Sequence, residues 1–204
     1  MKAPTSWFLP HDEPVLALLV TQWRTVEKTL DTVVSWTRGS VTLAEVTRAL
    51  DAAEDQEREQ RRTLHSRVRA AFSTPLDAED IYELGERIGM FHRQLYLLVR
   101  EADASNTAPD HGLEGILAAV SAAASPLGAA LMMLPASEAA NVADEAVERL
   151  EGADQAYRLA LSALTREDVH LELCRRELYR RAEHVTEAAA RIAHRAWYAV
   201  CKVT

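Results

Sequence analysis

The chain has 204 residues, 48% of them hydrophobic and 26% charged, enough for the buried core of one sizeable domain or two small ones. Its net charge of −8 and pI near 5.4 argue against nucleic-acid binding, which needs a basic footprint to displace counterions from phosphates. Glycine is scarce beside alanine and leucine, a balance that favours helix, because glycine costs a helix about 1 kcal/mol relative to alanine.

The first predicted helix covers residues 12–37, where Leu16, Leu19, Trp23, Val26, Leu30 and Val33 recur at three- and four-residue steps. Arg38, Gly39 and Ser40 end it, with the glycine as a C-terminal cap. A second helix starts near Thr42 and places Leu43, Val46, Leu50, Ala53, Leu64, Val68 and Ala71 on its seam. It stops before Pro75, whose ring disfavours helix for the residue ahead of it. Asp77 caps the third helix and Asp80 adds a carboxylate near its N-terminus; Ile81, Leu84, Ile88, Phe91, Leu95 and Leu98 then form the cleanest seam in the chain. Residues 102–111 read as a loop.

The fourth helix spans 112–134, interrupted or kinked near Ser125 and Pro126. The fifth follows Pro135, with Ser137 as its cap, and reaches about Leu164. Thr165 to Asp168 read as the cap and first-turn acids of a last helix that extends to near Lys202. No segment alternates with period two, so no strand is predicted.

The expectation is an all-α fold of two antiparallel three-helix bundles side by side, residues 1–101 and 112–204 with 102–111 as linker, or both merged in one continuous domain. Each half has a middle helix with acids along its seam, a capped turn and a long third helix, which reads as an internal repeat. Apolar stretches such as 116–124 fall short of the roughly 20 residues that span a bilayer. Residues 1–10 lack the basic and apolar regions of a secretory signal. The expected location is the cytoplasm, with Cys174 and Cys201 reduced and too far apart on one helix to pair.

Several acids interrupt the apolar seams. On the second helix Glu57 and Gln60 lie between Ala53 and Leu64, one turn from Glu54. On the fifth, Asp154 falls in the stripe of Val147, Leu150, Tyr157, Leu161 and Leu164, flanked by Glu148 and Glu151. On the sixth, Glu183 and Glu187 stand four apart beside Leu178, Val185, Ala189 and Ile192. Carboxylates at such spacing share a helical face and can grip one hard cation, which makes Glu54, Glu57, Glu151, Asp154, Glu183 and Glu187 candidate metal ligands. The other reading places them at seam edges, paired with Arg58, Arg61, Arg158 or Arg181.

Glu167 and His170 make a single Glu-x-x-His where carboxylate di-metal bundles need two. His65, His92, His184 and His194 are scattered singly. No P-loop, His-Glu-x-x-His, Cys-x-x-Cys or Gly-x-Ser-x-Gly occurs, and no nucleophile is paired with a base in sequence, so a non-enzymatic role is expected. Trp36, Trp197 and Tyr198 could serve a homodimer or a partner surface, or cap the bundle ends.

Three strings carry a family likeness: WFLP at 7–10, FSTPLDAEDIYEL at 72–84 and ELYRRAEHVTEAAARIA at 177–193, the last followed by Lys202. The second resembles Phe-x-Thr-Pro-x-Asp-x-Glu-Asp-Ile-x-x-Leu of the PhoU-like proteins, in the branch that accompanies Pit-type phosphate permeases. The resemblance implies an all-helical fold and a regulatory or accessory role in inorganic phosphate uptake. That role would be exercised through contact with a permease or a phosphate-signalling protein, at the inner face of the membrane. It also implies binding of iron, zinc or another divalent metal through Glu/Asp-x-x-x-Asp motifs. Here Arg58 follows Glu54 at that spacing, Leu150 precedes Asp154, and Gly89, Met90 and His92 stand where acids are common on the third helix.

Overall fold

The computed structural model describes residues 15–164 and 169–202. The WFLP string, the predicted start of the first helix at 12, the 165–168 cap and Glu167 of the Glu-x-x-His lie outside the described residues. Six helices follow in order: α1 (Val15–Thr37), α2 (Leu43–Ala70), α3 (Ala78–Ala104), α4 (His111–Met133), α5 (Glu138–Ala163) and α6 (Val169–Cys201). The fold is all-α, as the seams predict.

The helix ends follow local chemistry. Gly39 takes a left-handed conformation (φ 73°) after α1, which a residue without Cβ adopts at no steric cost. Thr42 and Glu45 close a reciprocal capping box on α2. The Asp77 carboxylate accepts the Glu79 N–H at the start of α3, and Asp110 accepts that of Leu113 at the start of α4. Ser137, in contrast, precedes α5 without a side-chain capping bond. The predicted linker shrinks to residues 105–110, because α3 continues to Ala104 and Ala102 is buried in the core.

Pro126 does not break α4. Its missing N–H leaves the Ala122 carbonyl without the usual helical donor, and Arg149 Nη1 on α5 donates to that oxygen at 2.9 Å. α4 is also the one helix, among the described residues, long and apolar enough to cross a membrane, where the sequence reading found only shorter stretches. Alanines interspersed with leucine, isoleucine and valine raise its mean hydropathy, and 56% of its most apolar window is buried inside the fold.

Within each trio, α1–α2–α3 and α4–α5–α6, every helix touches the other two. The trios meet along α1–α4 and α3–α6, so α1, α3, α6 and α4 form a closed ring of contacts. α2 and α5 each cover one side of it and do not touch each other. One connected core runs through all six helices. At its centre Trp23 of α1 stacks on Phe91 of α3 with centroids 6.0 Å apart. Gly128 of α4 admits the indole, since a Cβ there would lie 2.6 Å from Trp23 Nε1. α5 contributes a face of alanines, Ala139, Ala143, Ala146, Ala153 and Ala160, small enough to bring it close against α4.

The α3–α6 contact is held by charge. Asp80 is fully buried and lies 2.7 Å from Arg195 Nη2. Lys202 Nζ donates to Asp77 at 2.7 Å and reaches Asp80 at 3.4 Å. The Tyr198 ring stands beside both cations, 5.4 Å from the Arg195 guanidinium and 5.9 Å from the Lys202 ammonium. Removing one partner of a buried pair leaves the other charge uncompensated. Asp80→Asn is therefore expected to lower unfolding free energy by about 3 kcal/mol in urea titrations, whereas Asp77→Asn, exposed to water, leaves the midpoint nearly unchanged.

Candidate functional site

The one place where the candidate acids enter the interior is between α2 and α3. Glu57 projects from the α2 seam and is almost fully buried. Gln22 of α1, wholly buried, donates from Nε2 to Glu57 Oε1 at 2.8 Å and to the Gly85 carbonyl of α3 at 2.8 Å. Arg61 Nε lies 3.6 Å from the same carboxylate, and Arg61 Nη1 lies 3.6 Å from Glu86. A Cβ at Gly89 would come within 2.5 Å of Arg61 Nη1 and 2.7 Å of Glu57 Oε1. Glycine at 89 is what lets this pair close against α3.

Glu54, one turn earlier, is held by Arg58 at 2.8 Å. Glu54, Glu57, Arg58, Arg61, Glu86 and His92 line a cavity of about 150 Å³, which Gly89, Met90 and Arg93 complete. His92 is 2% exposed, and neither ring nitrogen meets a hydrogen-bond partner among the described residues; the same holds for Glu54 Oε2. The cavity is large enough for a few waters or a small polar group. None of its lining side chains is a hydroxyl or a thiol, so it offers no nucleophile of that kind.

Burial governs the protonation of this cluster. It raises the Glu57 carboxyl above its usual range, against the opposing pull of Arg61 and Gln22. It lowers His92 below its ordinary 6.5, with Glu54 opposing and Arg61 and Arg93 adding to the effect. These are the directions expected when a low-dielectric site disfavours the charged form.

The other candidates lie elsewhere. Glu151 and Asp154 are exposed on α5. Of the stripe predicted through Asp154, Leu150 is buried, whereas Ala146 and Ala153 take the buried places next to Val147 and Asp154; Val147, Tyr157, Leu161 and Leu164 pack at the edge. Glu183 is half-buried and faces Tyr157, whose phenol is held above its ordinary range by burial and then by that carboxylate. Glu187 is exposed and pairs with Arg191 at 3.3 Å. Since α2 and α5 do not touch, the six acids cannot form one ligand set. No three His, Cys, Asp or Glu side chains converge as metal ligands among the described residues. Arg58 and Arg61 occupy the α2 carboxylates that a multinuclear cluster would use, and their charge repels a cation. The residues present do not fit such a cluster. Arg181, one of the arginines expected to pair with the candidate acids, bridges Glu101 of α3 and Glu177 of α6.

Sequence reasoning passed over Gln22 and the burial of His92. Gln22 stands beside Trp23 in the α1 stripe, and its wholly buried amide is the structural signal. His92 follows Phe91 on α3, and neither position in the sequence announces the acids that α2 brings opposite.

No protein-family model matches this chain, and no curated protein matches it. Solved structures do. A PhoU-like protein from Shewanella oneidensis superposes with a TM-score of 0.78 at 15% identity, over 92% of this chain and 99% of that one. The chain has a PhoU-like fold. A second structure from the same organism, a candidate PhoU-like phosphate regulatory protein, superposes with a TM-score of 0.71 at 15% identity and the same coverage. In this PhoU-like fold the 72–84 string and Lys202 gain a physical reason for occurring together, because Asp77 and Asp80 of the former hold the latter.

Gly89→Val should cost about 1–3 kcal/mol in chemical denaturation by forcing Glu57 and Arg61 apart. The unfolded chain binds a proton at His92 before the folded one does, so the associated stability is present at neutral pH. It is lost as pH falls from 6.5 through the lower folded-state value. Urea midpoints measured down this range should fall less steeply in His92→Met. Glu57 works in the opposite sense: its raised value favours the fold at low pH and that contribution fades as pH rises past 4.5.

Proposed function

We propose that this protein is a regulatory or accessory component of inorganic phosphate transport, acting by contact with a permease or a phosphate-signalling protein at the inner face of the membrane. The observation that carries the reading is the superposition on the candidate phosphate regulatory protein over nearly the whole of both chains. The likeness of the 72–84 string to the branch that accompanies Pit-type permeases supports it further.

The surface suits a contact protein. Phe72 stands fully exposed in the turn before α3, and Trp197 and Tyr198 are partly exposed in the last turns of α6. Lys202 ties that end of α6 to Asp77, so these aromatic groups belong to one end of the molecule. Aromatic side chains of this kind anchor protein interfaces.

Deleting the gene should change both phosphate uptake and the phosphate-starvation response, and restoring the wild-type chain should reverse the change. Unchanged uptake together with an unchanged starvation response overturns the reading.

A further inference from the structure

A groove on the α1–α2 side has no assigned role. It holds about 430 Å³, within the range of small-molecule sites. Its wall on α1 is Thr21, Arg24, Thr25, Lys28, Thr29 and Thr32; α2 supplies small alanines and two amides, Gln56 and Gln60. No carboxylate lines it, in a chain whose net charge is −8.

Two features define what it can hold. Arg24 and Lys28 have no carboxylate within ion-pair distance among the described residues. Arg24 Nη2 reaches the Met132 sulfur at 3.9 Å, and its charge also acts on the Glu27 carboxylate beyond ion-pair distance. Many other arginines are paired, as Arg58, Arg61, Arg149, Arg180, Arg191 and Arg195 are. The hydroxyls, in turn, are spent as donors. Thr21 donates to the Ala17 carbonyl, Thr25 to Thr21, Thr29 to Thr25 and Thr32 to Lys28. Each therefore turns oxygen lone pairs, not a proton, to the groove. The groove thus combines unpaired cations with unmet acceptors.

We propose that this groove binds a phosphoryl oxyanion that also carries a hydroxyl: orthophosphate, or a phosphomonoester whose organic part bears one. The charged oxygens face Arg24 and Lys28, and a P–OH or ligand hydroxyl donates to the threonine oxygens. Sulfate offers the same charge and shape without the proton at neutral pH, so it meets the acceptors lone pair to lone pair. A site built on such a hydrogen bond rejects the analogue that lacks it. The inference rests on the groove alone and stands apart from the transport reading.

The test is amide NMR titration of the full-length protein at neutral pH and fixed ionic strength with sodium orthophosphate, glycerol phosphate and sodium sulfate. Saturable shifts confined to α1 and α2 are expected with a phosphoryl ligand, at least about tenfold weaker with sulfate. Tighter binding of orthophosphate identifies the free anion as the ligand, and tighter binding of glycerol phosphate a phosphomonoester; either supports the proposal. Arg24→Gln with Lys28→Gln, both at exposed positions, should abolish the shifts. Thr29→Val should weaken phosphate but not sulfate, bringing the two together. Equal binding of sulfate and phosphate in the wild type, or no saturation up to about 20 mM of any phosphoryl ligand, overturns it.

Discussion

The buried contact of Asp80 with Arg195 is the constraint on which the arrangement of the two helix trios depends. An ionised carboxylate removed from water is costly unless a cation meets it closely, and the only route by which one does so runs through α6 packed along α3. The pair therefore sets which helix α6 lies against and in what register. Tyr198 and Lys202 follow from that register, as does the second link from Arg181 to Glu101 farther along the same interface. The α1–α4 contact on the other side of the ring is apolar and steric, with Trp23 against Gly128. Charge specifies one seam between the trios and shape specifies the other.

The polar cavity between α2 and α3 belongs to the same economy of buried charge. Gln22 and Arg61 offset Glu57, and Gly89 opens the space that lets them approach. His92 and one oxygen of Glu54 stay without partners there, so the cluster is only partly satisfied and its protonation depends on solvent access. The α1–α2 groove lies on the other flank of the second helix and has the opposite chemistry, with cations left over where the cavity consumes them. One helix thus separates an interior of paired acids and arginines from a cationic surface.

Much of this architecture was legible along the chain. Six helices, their order and most of their ends follow from a three- and four-residue repeat of large apolar side chains and from caps such as Thr42, Asp77 and Gly39, which act within one turn. Glu57 could be recognised as an acid inside a seam because Leu50 and Leu64 bracket it at helical spacing. Asp154 could not be placed, because the buried face of α5 is made of alanines, and alanines occur on every face of a helix. The linker was drawn too long for a related reason: Ala102 is polar by its neighbours and buried by its packing.

By itself the sequence determined the local states: where helices run, where they stop, and that no strand competes, since these depend on contacts among residues a few positions apart. It also carried the likeness of the 72–84 string to PhoU-like proteins. Only the tertiary structure decided what the charges do. Asp80 looks like any first-turn acid until Arg195, distant in the chain, is laid against it. Arg24 and Lys28 look like any exposed cations until the groove they line proves to hold no carboxylate. Burial and charge pairing arise between helices, and no pattern within one helix encodes which partner the fold will bring.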